Sequence, residues 1–315
     1  MSNLTSLSTF LLLGFSEARE SQLLHFFVFL AIYLMAMTGN ILIVIAIVLD
    51  QKLHTPMYFF LINLAMLDVG SVSVMVPKSM AISLTNNRSI SYFGCVAQVF
   101  FNLFFLTSDF TLLTVMAHDR YVAICNPLQY ERIMHKGACL QMVAIVWTTG
   151  LLYAIVHTSS TFANTFCSNT VNQFFCELPK LLKLSCSDFY LVEAGLIVVG
   201  GSLGLGCLIY IVITYMQIFA IVLRIPSVHG KKKALSTCLP HLTVVSLLMF
   251  SAIVAYASSS TNYSSGLDIA FAVIYTIIPP TLNPFIYSMR NKDIKIALWK
   301  LLDVGPSSKT IFRLL

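Results

Sequence analysis

Seven stretches of this chain are each long and apolar enough to cross a lipid bilayer, and this fixes its solvent before anything else. A helical span needs about 20 predominantly apolar residues, and such runs fall at 25–49, 57–84, 95–124, 140–160, 191–223, 234–258 and 267–289. Hydrocarbon offers the backbone no hydrogen-bond partner, so runs of this length must close their own bonds as helices. Composition agrees. Apolar types make up 57% of the 315 residues and charged types only 10%, against about 25% charged in soluble domains. The expected fold is an all-α membrane protein, a seven-transmembrane helix bundle. After the last span, residues 293–303 set Ile294, Leu298, Leu301 and Leu302 against Lys295 and Lys300. That spacing predicts a short amphipathic helix lying along the membrane. The expected division is 1–24 outside the membrane, 25–289 as the bundle, and 290–315 as the amphipathic helix and tail.

Orientation follows from the basic residues. With the N-terminus outside, the inner segments hold Lys52, Arg120, Arg132, Lys136, Arg224, Lys231, Lys232, Lys233, Arg290, Lys292, Lys295, Lys300, Lys309 and Arg313. Arg19, Lys78, Arg88, Lys180 and Lys183 fall outside, so fourteen of the 19 are inner. This positive-inside bias predicts an extracellular N-terminus and a cytoplasmic C-terminus. The sequons Asn3-Leu4-Thr5, Asn87-Arg88-Ser89 and Asn262-Tyr263-Ser264 all fall on the outer side, with Asn3, farthest from the bilayer, the expected glycosylation site. Residues 1–20 lack the basic start and apolar run of a cleaved leader, so the first span is expected to direct insertion. The net charge of +6 argues for topology rather than nucleic acid, because no patch interleaves aromatic and basic residues.

One loop is long, residues 161–190, and it carries Cys167, Cys176 and Cys186, with Cys95 at the outer mouth of the third span. Four cysteines facing an oxidising compartment imply two disulfides, with three pairings open. Cys125, Cys139, Cys207 and Cys238 read as buried thiols.

Several polar residues stand inside the spans, where each is costly and normally faces a polar interior. Asp68 and Asp109 sit near mid-membrane, and two adjacent carboxylates either share a proton or hold a cation. Asp119 and Arg120 end the third span as a local ion pair whose breaking would free the arginine, a two-state element that a ligand could bias. Pro284 removes a backbone donor within the seventh span, and Asn283 and Tyr287 supply polar groups beside it.

The run Met116-Ala117-His118-Asp119-Arg120-Tyr121-Val122-Ala123-Ile124-Cys125 and the run Pro280-Thr281-Leu282-Asn283-Pro284-Phe285-Ile286-Tyr287 resemble the Asp-Arg-Tyr and Asn-Pro-x-x-Tyr motifs of rhodopsin-like G-protein-coupled receptors. Gly39-Asn40, Leu53-His54-Thr55-Pro56-Met57-Tyr58-Phe59, Lys233-Ala234-Leu235-Ser236-Thr237-Cys238 with His241, and Ile286-Tyr287-Ser288-Met289-Arg290-Asn291 narrow the likeness to odorant receptors of the tetrapod type. The three-cysteine loop adds to it, and the resemblance covers nearly the whole chain. There are departures: Asp109 where the family usually has Glu, Thr214 where it has Ser, and Leu248-Met249-Phe250 where it has Phe-Tyr-Gly.

The resemblance implies a plasma-membrane receptor for small lipophilic odorants, coupled to a stimulatory G protein that raises cyclic AMP. It implies disulfides Cys95–Cys176 and Cys167–Cys186, and a sodium-like site at Asp68 and Asp109. The switch set would be Asp119, Arg120, Tyr121, Tyr215, His241, Asn283, Pro284 and Tyr287. The ligand set, by position relative to the matched motifs, would be Asn102, Leu103, Leu106, Thr107, Val199, Gly200, Leu203, Met249, Ala252, Ile253, Tyr256, Val273 and Thr276. No acid or base stands among these, so the ligand is expected to be neutral. An enzyme is disfavoured: Gly204-Leu205-Gly206-Cys207 lacks the acid of a membrane aspartyl protease motif, and no metal-spaced His pair or phosphate loop is present. Seven spans do not divide into the paired repeats of a transporter. A chemosensor outside olfaction would share every one of these features.

Overall fold

The computed structural model describes residues 8–14, 18–186, 190–260, 273–274 and 276–302. The sequons at Asn3 and Asn262, the first part of the expected seventh span and the tail beyond residue 302 lie outside these. Among the described residues, six helices are long and apolar enough to cross a membrane. They are α1 (Arg19–Leu49), α2 (Pro56–Thr85), α3 (Tyr92–Cys125), α5 (Lys136–Phe162), α7 (Tyr190–Arg224) and α8 (Val228–Ser260), with the short α4 (Tyr130–Ile133) and α6 (Leu178–Leu182) in the connections. The described part of the seventh span is α9 (Ile278–Arg290), followed directly by α10 (Lys292–Leu302).

Local chemistry sets the helix ends. Thr55 stands extended before Pro56, whose fixed φ suits the first turn of α2. Ser91 caps α3 by accepting from the Gly94 N–H at 3.1 Å. Asn86 closes α2 in the left-handed region, φ 54°, where Asn is among the few tolerant residues. Two helices start earlier than hydropathy alone predicts. α1 gains its first turns from Arg19, which donates to the Leu84 carbonyl at the end of α2, 2.7 Å away. α8 continues through His229-Gly230-Lys231-Lys232 because a helix supplies its own backbone bonds in water as well as in lipid.

At the N-terminal face the chain adds a small sheet to an otherwise helical fold. Strand β1 (Thr9–Leu12) lies between β2 (Ser89–Ser91), antiparallel in the register Phe10↔Ile90, and β3 (Thr170–Val171), parallel in the register Leu12↔Val171. Phe10 is fully buried there, against the rings of Tyr92 and Phe166. Beneath the sheet, Cys95–Cys176 ties α3 to the long loop, and Cys167–Cys186 closes that loop on itself. These are the pairings implied by the family resemblance.

The main apolar core occupies the opposite half, where Leu64, Leu67, Leu112, Ile218 and Tyr287 meet. Ile294 and Ala297 of α10 are buried against it, so the apolar face read from the sequence packs on protein at these two positions. The polar face of α10 is held by Lys300, 2.9 Å from the Asp50 carboxylate. That contact, with the Lys52 N–H, holds the Asp50 carboxyl below its ordinary range.

Candidate functional site

Two polar clusters and a set of cavity-facing residues are stacked through the bundle. The first cluster ends α3. Arg120 donates its Nε to Asp119 Oδ2 at 2.9 Å, with a second guanidinium N–H on the same oxygen, and both residues are buried. The other carboxylate oxygen accepts from the Tyr130 hydroxyl of α4, 2.7 Å away. Burial, with the Asp119 charge beside it, pushes the Tyr130 hydroxyl well above its ordinary range, so it keeps the proton that it donates to Asp119. The ion pair read from the sequence is thus locked by a third residue that sequence did not single out. Tyr121 next to it packs half-buried against the core.

About two turns deeper, a clasp joins three helices. His241 of α8 lies 2.9 Å from the Leu113 carbonyl of α3 and 2.7 Å from the Tyr215 hydroxyl of α7. A carbonyl only accepts, so His241 Nε2 carries the proton and Nδ1 accepts from Tyr215. The ring is fully enclosed.

The second cluster lies mid-span. Asn283 donates its Nδ2 to both oxygens of Asp68, at 3.1 and 3.0 Å. Asp68, Asp109 and Asn283 share a cavity of about 40 Å³ with Ser71, Asn102, Leu106 and Thr276. Among the described residues no donor reaches Asp109 Oδ1, Asn283 Oδ1 or the Tyr287 hydroxyl, all of them buried. The backbone break beside this cluster is repaired from α1. Pro284 has no N–H, which frees the carbonyl of Pro280, and Asn40 donates to that oxygen at 3.1 Å.

The expected ligand set divides. Asn102, Leu106 and Thr276 face the mid-span cavity, and Thr107 is half-buried one turn below Leu103. Leu103 packs instead toward the Cys95–Cys176 cluster, Met249 toward the main core, and Val273 between Phe174 and Met75. Two expectations are corrected. Val199 and Leu203 do not face the bundle: they are 59% and 68% exposed, on the lipid side of α7. Gly200 approaches Tyr153 of α5 rather than the cavity. The inward line of α7 runs through Gly200, Gly204, Ile211, Thr214 and Ile218. The side chains of Ala252, Ile253 and Tyr256 lie outside the described residues.

A further enclosed acid, at the head of a span, was not singled out from the sequence. Glu193 in the first turn of α7 is wholly buried and bonds His157 of α5 at 2.5 Å. Their separation of 36 residues leaves no local signal, though a Glu at the head of an apolar run was the clue available.

The fold is that of squid rhodopsin, whose crystal structure superposes with a TM-score of 0.73 and 16% identity over 91% of this chain and 86% of that one. The two share this helical-bundle fold, and in this chain the ion pair stands at the end of α3. A family profile described as olfactory receptor matches residues 29–304. Human olfactory receptor 14A16 is 48% identical over 96% of this chain and 98% of its own length. Human olfactory receptor 14J1 is 48% identical over 96% and 94%, and gorilla olfactory receptor 1G1 is 45% identical over 95% and 96%. The chain belongs to the olfactory receptor family: it is a G-protein-coupled odorant receptor, with a small-molecule ligand and a G-protein partner, and not an enzyme.

Proposed function

We propose that the receptor stands in the plasma membrane with its N-terminus outside, binds small neutral lipophilic odorants, and activates a stimulatory G protein of the olfactory type to raise cyclic AMP. The observation that carries this reading is membership of the olfactory receptor family over residues 29–304; the mid-span cavity, where the expected ligand positions Asn102, Leu106 and Thr276 meet Asp68 and Asn283, is the floor of the ligand region. A cavity of about 40 Å³ has room for little more than a water or a small ion, so the odorant sits nearer the N-terminal face. Asn102, at the top of the mid-span cavity, offers the odorant a hydrogen bond. Glu193 bonds His157 through one carboxylate oxygen, between α7 and α5, and is not among the expected ligand positions. A charged amine would go without a counter-ion, which is far costlier than burying a hydroxyl or ester. About ten heavy atoms at roughly 0.5–0.8 kcal/mol each give micromolar binding.

Below the odorant, Asp68 and Asp109 hold a sodium ion or share a proton. The residues fit a cation: Asp109 Oδ1 and Asn283 Oδ1 are buried acceptors without donors among the described residues, and Asp68 adds charge. The intact Asp119–Arg120–Tyr130 contact is the resting arrangement, and odorant binding shifts the population toward its rupture. The test is a panel of terpenoids, esters, ketones, amines and carboxylates at equal concentration, read by cyclic AMP in cells expressing the receptor. Neutral compounds should be the strongest agonists. Charged amines as the strongest agonists, or solute uptake without a cyclic AMP rise, would refute the reading.

A further inference from the structure

A second cavity lies apart from the expected odorant positions. It is a groove of about 810 Å³ at the C-terminal face, between the end of α1, the start of α2, α4 and the start of α5. Its walls are apolar, with Ile47, Phe59, Ile62, Met134 and Leu140 among them. Its rim is polar. His54, His135, Lys136 and Glu131 line it, and Lys52 and Arg132 stand beside lining residues in the chain, both exposed. Three fixed positive charges thus face one negative, and two histidines add to the positive side when protonated. Asp50, the other nearby acid, is engaged by Lys300. Both α2 and α5 begin at this rim, so the positive ends of two helix dipoles point toward it.

An apolar slot with a basic lip matches one kind of occupant, a diacyl lipid with an anionic headgroup. Resting on the orientation proposed above, this lip lies in the cytoplasmic leaflet, where anionic phospholipids concentrate. We propose that the groove is a binding site for an anionic phospholipid of the cytoplasmic leaflet. One acyl chain lies against Phe59, Ile62 and Leu140, and the phosphate meets Lys136, with Lys52 and Arg132 completing the charge. Such a lipid spans α1, α2 and α5 without touching the Asp119–Arg120 contact. It braces the helix ends around α4, whose Tyr130 locks that contact and also lines the groove.

The test is native mass spectrometry of the purified full-length receptor in detergent, with phosphatidylserine and phosphatidylcholine of matched chains added in equal amounts. Phosphatidylserine should be retained in preference, about fivefold for each basic contact, and the preference should fall with added salt. The triple variant Lys52→Gln, Arg132→Gln, Lys136→Gln should lose the preference while still binding phosphatidylcholine. Ile62→Trp, filling the slot, should lower retention of both lipids. Folding of each variant is checked by its melting temperature. Equal retention of the two lipids by the native receptor would overturn the proposal, as would an unchanged preference in the triple variant. Displacement of both by a neutral sterol, or loss on forming dimers, would also overturn it by naming a different occupant. Orientation is read separately, by labelling an N-terminal epitope on intact cells, so the two readings can fail independently.

Discussion

Asn40 on α1 donates to the backbone oxygen of Pro280 on α9, 3.1 Å away, and through the same amide to Ala36 of its own helix at 2.9 Å. The contact joins residues 240 apart in sequence, and the cause is one missing hydrogen: Pro284 cannot donate to the carbonyl four residues before it. Gly39 beside Asn40 lets the helices approach this closely, since a Cβ there would stand 2.9 Å from the Pro284 ring. Asn40→Leu keeps the volume and removes the donor, leaving a buried carbonyl unpaired at about 1–3 kcal/mol. The purified variant should melt at a lower temperature than the native receptor. An unchanged melting curve would mean that another donor serves Pro280.

The lock at the end of α3 predicts two variants with opposite effects. Arg120→Ala, at normal surface level, should abolish the cyclic AMP response while odorant binding persists, because the residue lies at the far end of the bundle from the ligand. Tyr130→Phe removes the hydroxyl that holds Asp119. A hydrogen bond to a charged group contributes roughly 1.5–3 kcal/mol, so basal signalling should rise by about tenfold or more. Normal signalling by Arg120→Ala would refute the switch.

How much of this was legible depends on where the information lies. The spans were readable because lipid demands a local property, an unbroken apolar run, and the helix boundaries differ from the reading by a turn or two. The face of α7 was not readable. Its mean hydropathy of 2.5 is the highest among the six spans found in the described residues, so no polar stripe marks which side turns inward. Val199 and Leu203 were placed one position away from the Gly200–Gly204 line that packs. Strand β1 escaped because four residues acquire strand structure only from partners at Ser89–Ser91 and Thr170–Val171. Asp119 and Arg120 were legible as neighbours, whereas Tyr130 joins them only through the turn that α4 makes.

The shared cavity of Asp68 and Asp109 predicts effects on signalling rather than on odorant contact. Asp68→Asn and Asp109→Asn each remove one negative charge from the cluster, and with it the reason to hold a cation or share a proton. Basal activity or maximal efficacy should change in each, with the odorant concentration for half-response less affected. Raising sodium should lower basal signalling in membranes of the native receptor and not in either variant. Unchanged basal and maximal signalling in both would reduce the pair to a packing role.

The disulfide Cys95–Cys176 anchors the long loop on α3, and Gln98 one turn below accepts from the Cys176 N–H at 2.8 Å. Cross-links of this kind contribute about 2–4 kcal/mol. Cys95→Ser should sharply reduce surface expression, and Cys176→Ser should match it. The double variant should be no worse than either single one, since the second change removes nothing further. Unequal single variants would point to a separate role for one sulfur.

The clasp of Tyr215, His241 and Leu113 yields the prediction that best separates switching from stability. Nδ1 of His241 has the Tyr215 hydroxyl as its donor, and Nε2 is committed to the Leu113 carbonyl. Tyr215→Phe therefore strands a buried acceptor, costing about 1–3 kcal/mol in whichever state makes the contact. If the clasp belongs to the resting state alone, that loss falls on the resting state, and the population moves toward the active one by about fivefold or more. Basal cyclic AMP per receptor at the surface should then rise. His241→Leu, which removes the ring and leaves the buried Tyr215 hydroxyl without its acceptor, should raise it in the same direction. If the clasp were present in both states, the two variants would lower the melting temperature and leave basal signalling where it was. Measuring melting temperature and basal cyclic AMP on the same preparations distinguishes the two outcomes. A fall in stability with flat basal activity would remove Tyr215 and His241 from the switch.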